Sequence, residues 1–151
     1  MVTFLNRRNI KMNQETRIID QDYVIYRLEK AGATLLSLPN SSIEEKLRKN
    51  SLALIKGVIE TYQWHASYIR PPVPSDEEII KMEEAFDWIS LIPQDRHMLR
   101  RVVGARSLVH PVTDRHLFPW RRLAKMLMAE HKSIIRWHAA GISIIVSSLQ
   151  K

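Results

Sequence analysis

Lys132 and Arg136 stand four residues apart in a stretch of helical periodicity, so both cations fall on one helix face and can reach a common polyanion. A guanidinium there can donate two parallel bonds to guanine O6 and N7, and the ammonium can contact a base or a phosphate. Beside them, His131 can donate to a base or phosphate, and Glu130 can accept from cytosine N4 or favour the helix start through its charge. One predicted helix earlier, Arg121, Arg122 and Lys125 can clamp phosphates. Singly, each is as easily an ordinary surface charge; the grouping is what points to nucleic acid.

Other groupings have less chemical content. His110, Asp114 and His116 sit on an irregular segment with no HExxH spacing and no cysteine, which reads as a solvated loop rather than a metal set. Asp95 and His97 are two apart, so on a helix they do not face each other. Glu83, Glu84 and Asp87 form an acidic helix face without a partnering histidine or glycine-rich loop. The absence of cysteine excludes disulfides, thiol nucleophiles and cysteine zinc sites, and suits a reducing cytoplasm. The expectation is a non-enzymatic protein with no cofactor and no metal.

To present Lys132 and Arg136 together, two short helices must cross. With Trp120 as position one of a twenty-residue helix-turn-helix, the inward positions four, eight, ten, fifteen and eighteen are Leu123, Leu127, Ala129, Ile134 and Trp137. The small residue at the crossing is Ala124. The outward side of the second helix is then Glu130, His131, Lys132, Ile135, Arg136 and Ala139. The turn position that favours glycine, because φ is positive there, carries Met128 at some strain cost.

The rest of the chain reads as all-α. Four glycines in 151 residues disfavour a turn-rich β architecture. Asp20 or Asp22 can cap a helix to about Ser37, with Val24, Leu28, Ala31 and Leu35 on one face. Overlapping capping boxes, Ser41 with Glu44 and Ser42 with Glu45, open a second helix to about Tyr62. Residues 69–74 form a proline-stiffened connector. Ser75 with Glu78 starts a third helix, whose inner face is Ile79, Met82, Phe86 and Ile89 with Trp88 beside it. Pro93 fits the first position of a fourth, running to about Arg106 with Met98, Leu99, Val102 and Val103 inward and Arg96, Arg100, Arg101 and Arg106 mostly outward. A loop follows, and Pro119 opens the next helix.

Charge divides the chain. Residues 93–151 hold eleven Lys/Arg against three Asp/Glu and five of the six histidines, whereas residues 1–92 carry twelve against thirteen. A basic module joined to a near-neutral one suggests a polyanion partner. Three regions follow: residues 1–19 as a flexible basic arm, with Met12 as an alternative start; residues 20–92 as a helical scaffold or oligomerisation region; and residues 93–151 as the basic helix-turn-helix DNA-binding region. No secretory signal or membrane-span pattern is present.

The chain resembles a family of small bacterial, prophage and phage proteins that end in a helix-turn-helix. The resemblance spans residues 24–149. It rests on Arg27 to Ala31 with Leu38-Pro39, on Arg70 to Ser75, on Met82 through Trp88-Ile89, and on Trp120 to Ala124 with Ser133 through Leu149. Such proteins are similar in layout to region four of sigma factors and to the DNA-reading modules of phage small terminase subunits. The resemblance implies DNA binding, with Arg121, Arg122, Lys132 and Arg136 facing DNA. The chain departs from the pattern in lacking the turn glycine, in its long 109–118 loop and in a less basic second helix. The expected function is sequence-selective binding of double-stranded DNA, as a transcription regulator or packaging-recognition protein. A homo-oligomer is expected, with Trp64, Tyr68 or the apolar 142–149 end at its interface. The alternative is a protein–protein adaptor with a basic helical surface.

Overall fold

The computed structural model describes residues 19–39 and 72–151, and over these the protein is all-α. The basic arm, the predicted second helix with its capping boxes, and Trp64 and Tyr68 lie outside the described residues.

Helix α1 (Gln21–Leu36) begins where Asp20 Oδ1 accepts the Tyr23 N–H at 2.8 Å, satisfying one of the orphan donors of the first turn. Its face of Val24, Leu28, Ala31 and Leu35 is buried, as the spacing predicts. Helix α2 (Asp76–Asp87) opens on the reciprocal box: Ser75 Oγ accepts from Glu78 N at 3.2 Å, and Glu78 Oε1 accepts from Ser75 N at 3.3 Å. Met82, Ala85 and Phe86 are buried, and a 3₁₀ turn (Trp88–Leu91) buries Trp88 and Ile89. Ile79 is half-buried against the same cluster.

Arg27 joins α1 to α2. It is 9% exposed, with its guanidinium 4.8 Å from the Trp88 ring and 5.7 Å from the Tyr23 ring. It donates to Tyr23 Oη at 2.8 Å and to the Lys81 carbonyl at 3.3 Å, and pairs with Glu84 at 3.3 Å. A buried cation needs such a complete set of partners, and one that is stacked and bonded also pins the two helices in register.

Pro93 does not open the next helix directly. A 3₁₀ turn (Gln94–Arg96) comes first, and α3 (His97–Ser107) starts at His97. The outward expectation for the arginines holds for Arg96 and Arg101 but not for the other two. Arg100 donates to the carbonyls of Ile92 (2.7 Å) and Ser90 (3.0 Å), which closes the turn preceding α3. Arg106 is turned into the protein, because it shares the helix face of Leu99, Val102 and Val103.

The loop after α3 is held by the isolated bridge between Val109 and His116. It contains Asp114 at φ 60, a conformation that aspartate tolerates. Helices α4 (Trp120–Met126) and α5 (His131–Leu149) complete the fold. Helix α5 packs on α3, α1 and α4. It approaches α3 closely at Gly141, where an added Cβ would lie 2.6 Å from Val103 Cγ2. Ile142 and Ile145, expected at an oligomer interface, are instead 2% and 0% exposed in the core, since the close approach at Gly141 directs that face inward.

A single buried cluster runs from Val24 of α1 to Ile145 of α5, so the charge division at residue 93 is not a division of the core. Each fully buried Leu, Ile or Phe in it contributes roughly 1.5–3 kcal/mol relative to exposure. No helix among the described residues is long and apolar enough to cross a membrane.

Candidate nucleic-acid interface

Between α4 and α5 the chain breaks over residues 127–130. The break has a local cause. Leu127 N–H still bonds the Leu123 carbonyl at 2.9 Å; Met128 then turns to φ 52, and Ala129 N–H reaches back to the Ala124 carbonyl at 3.0 Å. This six-to-one bond around a left-handed residue is the Schellman ending, normally carried by glycine. Met128 occupies the glycine-favouring position with 94% of its surface exposed, so no packing offsets its strain.

On the two helices and the break between them, Leu123, Ala124 and Ile134 are buried, and Leu127, Ala129 and Trp137 are half-buried against the core. Arg121, Arg122 and Lys125 of α4 are exposed, as are Glu130, His131, Lys132 and Arg136 at the start of α5. Lys132 and Arg136 share a face one turn apart, with the partly exposed Ile135 (38%) beside them. Arg121 and Lys125 do the same on α4. Arg122 is drawn back over the preceding loop, donating to the Leu117 carbonyl at 3.0 Å. Arg136 bonds Ser133 Oγ at 3.2 Å, an arrangement within its own helix that a stronger acceptor can displace. Glu130 occupies the cap position of α5 without a side-chain capping bond.

The loop residues do not gather a metal site. His110 Nδ1 accepts from the backbone N–H of Val112 and Thr113, each at 3.1 Å, which shapes the turn. Among the described residues, no group of three or more metal-ligating side chains assembles.

A polar cluster behind the helix pair was not anticipated from the residue pattern. His116 Nδ1 donates to the Arg106 carbonyl at 2.9 Å, and its Nε2 lies 3.3 Å from Glu29 Oε1. The Arg106 guanidinium lies 3.8 Å from the centre of the Trp120 ring and donates to the Phe118 carbonyl at 3.2 Å. His138 meets the other side of the cluster, with its ring edge-on to Trp120 at 5.1 Å. Burial, and then the positive charge of Arg106, push the His138 pKa down to about 4 against the pull of Glu29. Burial likewise lowers Arg106 to about 10, partly opposed by Glu29. The signal was present in the spacing: His138 falls on the Ile134, Gly141, Ile142, Ile145 face of α5.

The chain matches no protein-family model, no curated protein and no solved structure.

Proposed function

We propose that the protein binds double-stranded DNA through α4 and α5, acting as a helix-turn-helix with the first turns of α5 in the major groove. The reading rests on one observation. Lys132 and Arg136 are exposed together at the start of a helix whose opposite face is buried through Ile134, beside the exposed Arg121, Arg122 and Lys125 of the helix before it. Arg136 and Lys132 reach base edges in this reading, and the α4 cations hold phosphates. His131 and Glu130 lie at the helix start, where a groove-inserted helix makes its contacts. The role is non-enzymatic: a transcription regulator or a phage-type packaging-recognition protein. Because one such unit contacts few base pairs, two or more copies act together on a site.

Duplex binding measured across a salt series tests this. Affinity should fall steeply as salt rises, as counterion release requires. Arg136→Ala should cost about 1–3 kcal/mol on the preferred sequence and relax preference at that position, while Arg121→Ala should weaken all sequences alike. Absence of duplex binding even at low salt would overturn the reading. That outcome would favour a protein–protein adaptor, for which the exposed Met128 and Ile135 beside the cations would supply apolar contact.

A further inference from the structure

Behind the helix pair lies a cavity of about 240 Å³ lined by Ile25, Leu28, Glu29, Val103, Arg106, Ser107, Trp120 and His138. Scaffold helices α1 and α3 form one side of it; Trp120 of α4 and His138 of α5 form the other. The volume is below that of a drug-sized pocket and suits a smaller molecule.

Its polar groups are unevenly satisfied. The Glu29 carboxylate already has His116 at 3.3 Å. Arg106 has no carboxylate within ion-pair distance among the described residues, and its buried Nε has no hydrogen-bond partner. His138, half-buried, borders the same space with its ring edge-on to Trp120. A guanidinium and an imidazole therefore line a small space with the apolar Ile25, Leu28 and Val103, the Trp120 ring, Ser107 and the His116-paired Glu29. Buried polar groups in native proteins are ordinarily satisfied, and the Arg106 Nε, which is not, calls for an explanation.

We propose that this cavity binds a small organic carboxylate, with the acid group against Arg106 and His138 and an apolar body against Ile25, Leu28 and Val103. A carboxylate gives Arg106 a contact anion, since the neighbouring Glu29 lies beyond ion-pair distance and is held by His116, and it accepts from the imidazole N–H; an ammonium ligand would meet Arg106 with the wrong sign. The site stands whether or not the helix pair reads DNA. Its occupant touches both helices of that pair, through Trp120 and His138.

The test is an NMR titration of the full chain with benzoate, benzyl alcohol and benzylamine as probes. Benzoate should saturate at about millimolar concentration and shift the Trp120 indole and His138 imidazole signals. Benzyl alcohol should bind about tenfold more weakly, since it forgoes the charge-assisted bonds, and benzylamine should not compete. Ile25→Phe, which puts bulk into the cavity and leaves Arg106 intact, should weaken benzoate about tenfold. Arg106→Gln should do the same; where that variant fails to fold, Ile25→Phe and the probe series decide the matter. No saturation by about 10 mM benzoate, equal binding of the alcohol or amine, shifts confined elsewhere, or unchanged affinity in Ile25→Phe would each overturn the proposal.

Discussion

Acidification should destabilise this protein through His138. The folded chain holds this imidazole near pKa 4, against 6.5 for the free side chain, because burial and Arg106 both oppose a second cation there. Between those values the unfolded chain takes up a proton that the folded chain refuses. Stability from this group is therefore complete above about pH 6.5 and is lost as pH falls toward 4. The full difference corresponds to about 3 kcal/mol, of which about 2 kcal/mol is gone by pH 5. For a chain of this size that is a fall in Tm of about 4–8 °C. The informative comparison is with His138→Gln, which keeps a neutral polar side chain and removes the titration. Thermal unfolding by circular dichroism at pH 7 and pH 5 should show a larger fall for the parent than for the variant, by that amount. Parallel curves, or an imidazole signal from His138 titrating near 6.5 in the folded state, would refute the reasoning.

Two further outcomes concern the backbone. Met128→Gly should raise stability by about 0.5–1 kcal/mol in urea unfolding, because it relieves a left-handed conformation at a side chain that packs on nothing; a loss of stability would show that the turn draws support from methionine itself. Gly32→Ala should cost at least about 2 kcal/mol in the same assay, since its Cβ would fall 1.8 Å from the Ser107 carbonyl oxygen, a backbone atom that cannot swing aside. An unchanged urea midpoint would mean that α1 and α3 do not meet there.

The helix start signals were legible because they are local. Asp20 and the Ser75–Glu78 box act on backbone groups three residues away, so their effect is written in adjacent residues. The break at Met128 was legible for a similar reason: Leu123, Leu127, Ala129 and Ile134 put a glycine-favouring turn position there, and Met128 takes φ 52. Arg106 departs from the outward expectation, and His138 carries no signal by residue type, because position on the helix decides both. Both lie on apolar faces of their helices, which turn them toward the interior.

From the chain alone came α1, α2, α4 and α5, the caps of the first two, the exposed faces carrying Lys132 and Arg136, and the concentration of positive charge after residue 93. These depend on interactions within a turn or two of helix, and so on residues close in sequence. Only the folded molecule decided that Glu29, Arg106, His116, Trp120 and His138 meet, that Arg27 stacks on Trp88, and that Ile142 and Ile145 face the core. Those outcomes depend on which helix lies against which. That choice is made by close approaches such as Gly32 on Ser107 and Gly141 on Val103, between residues 75 and 38 positions apart.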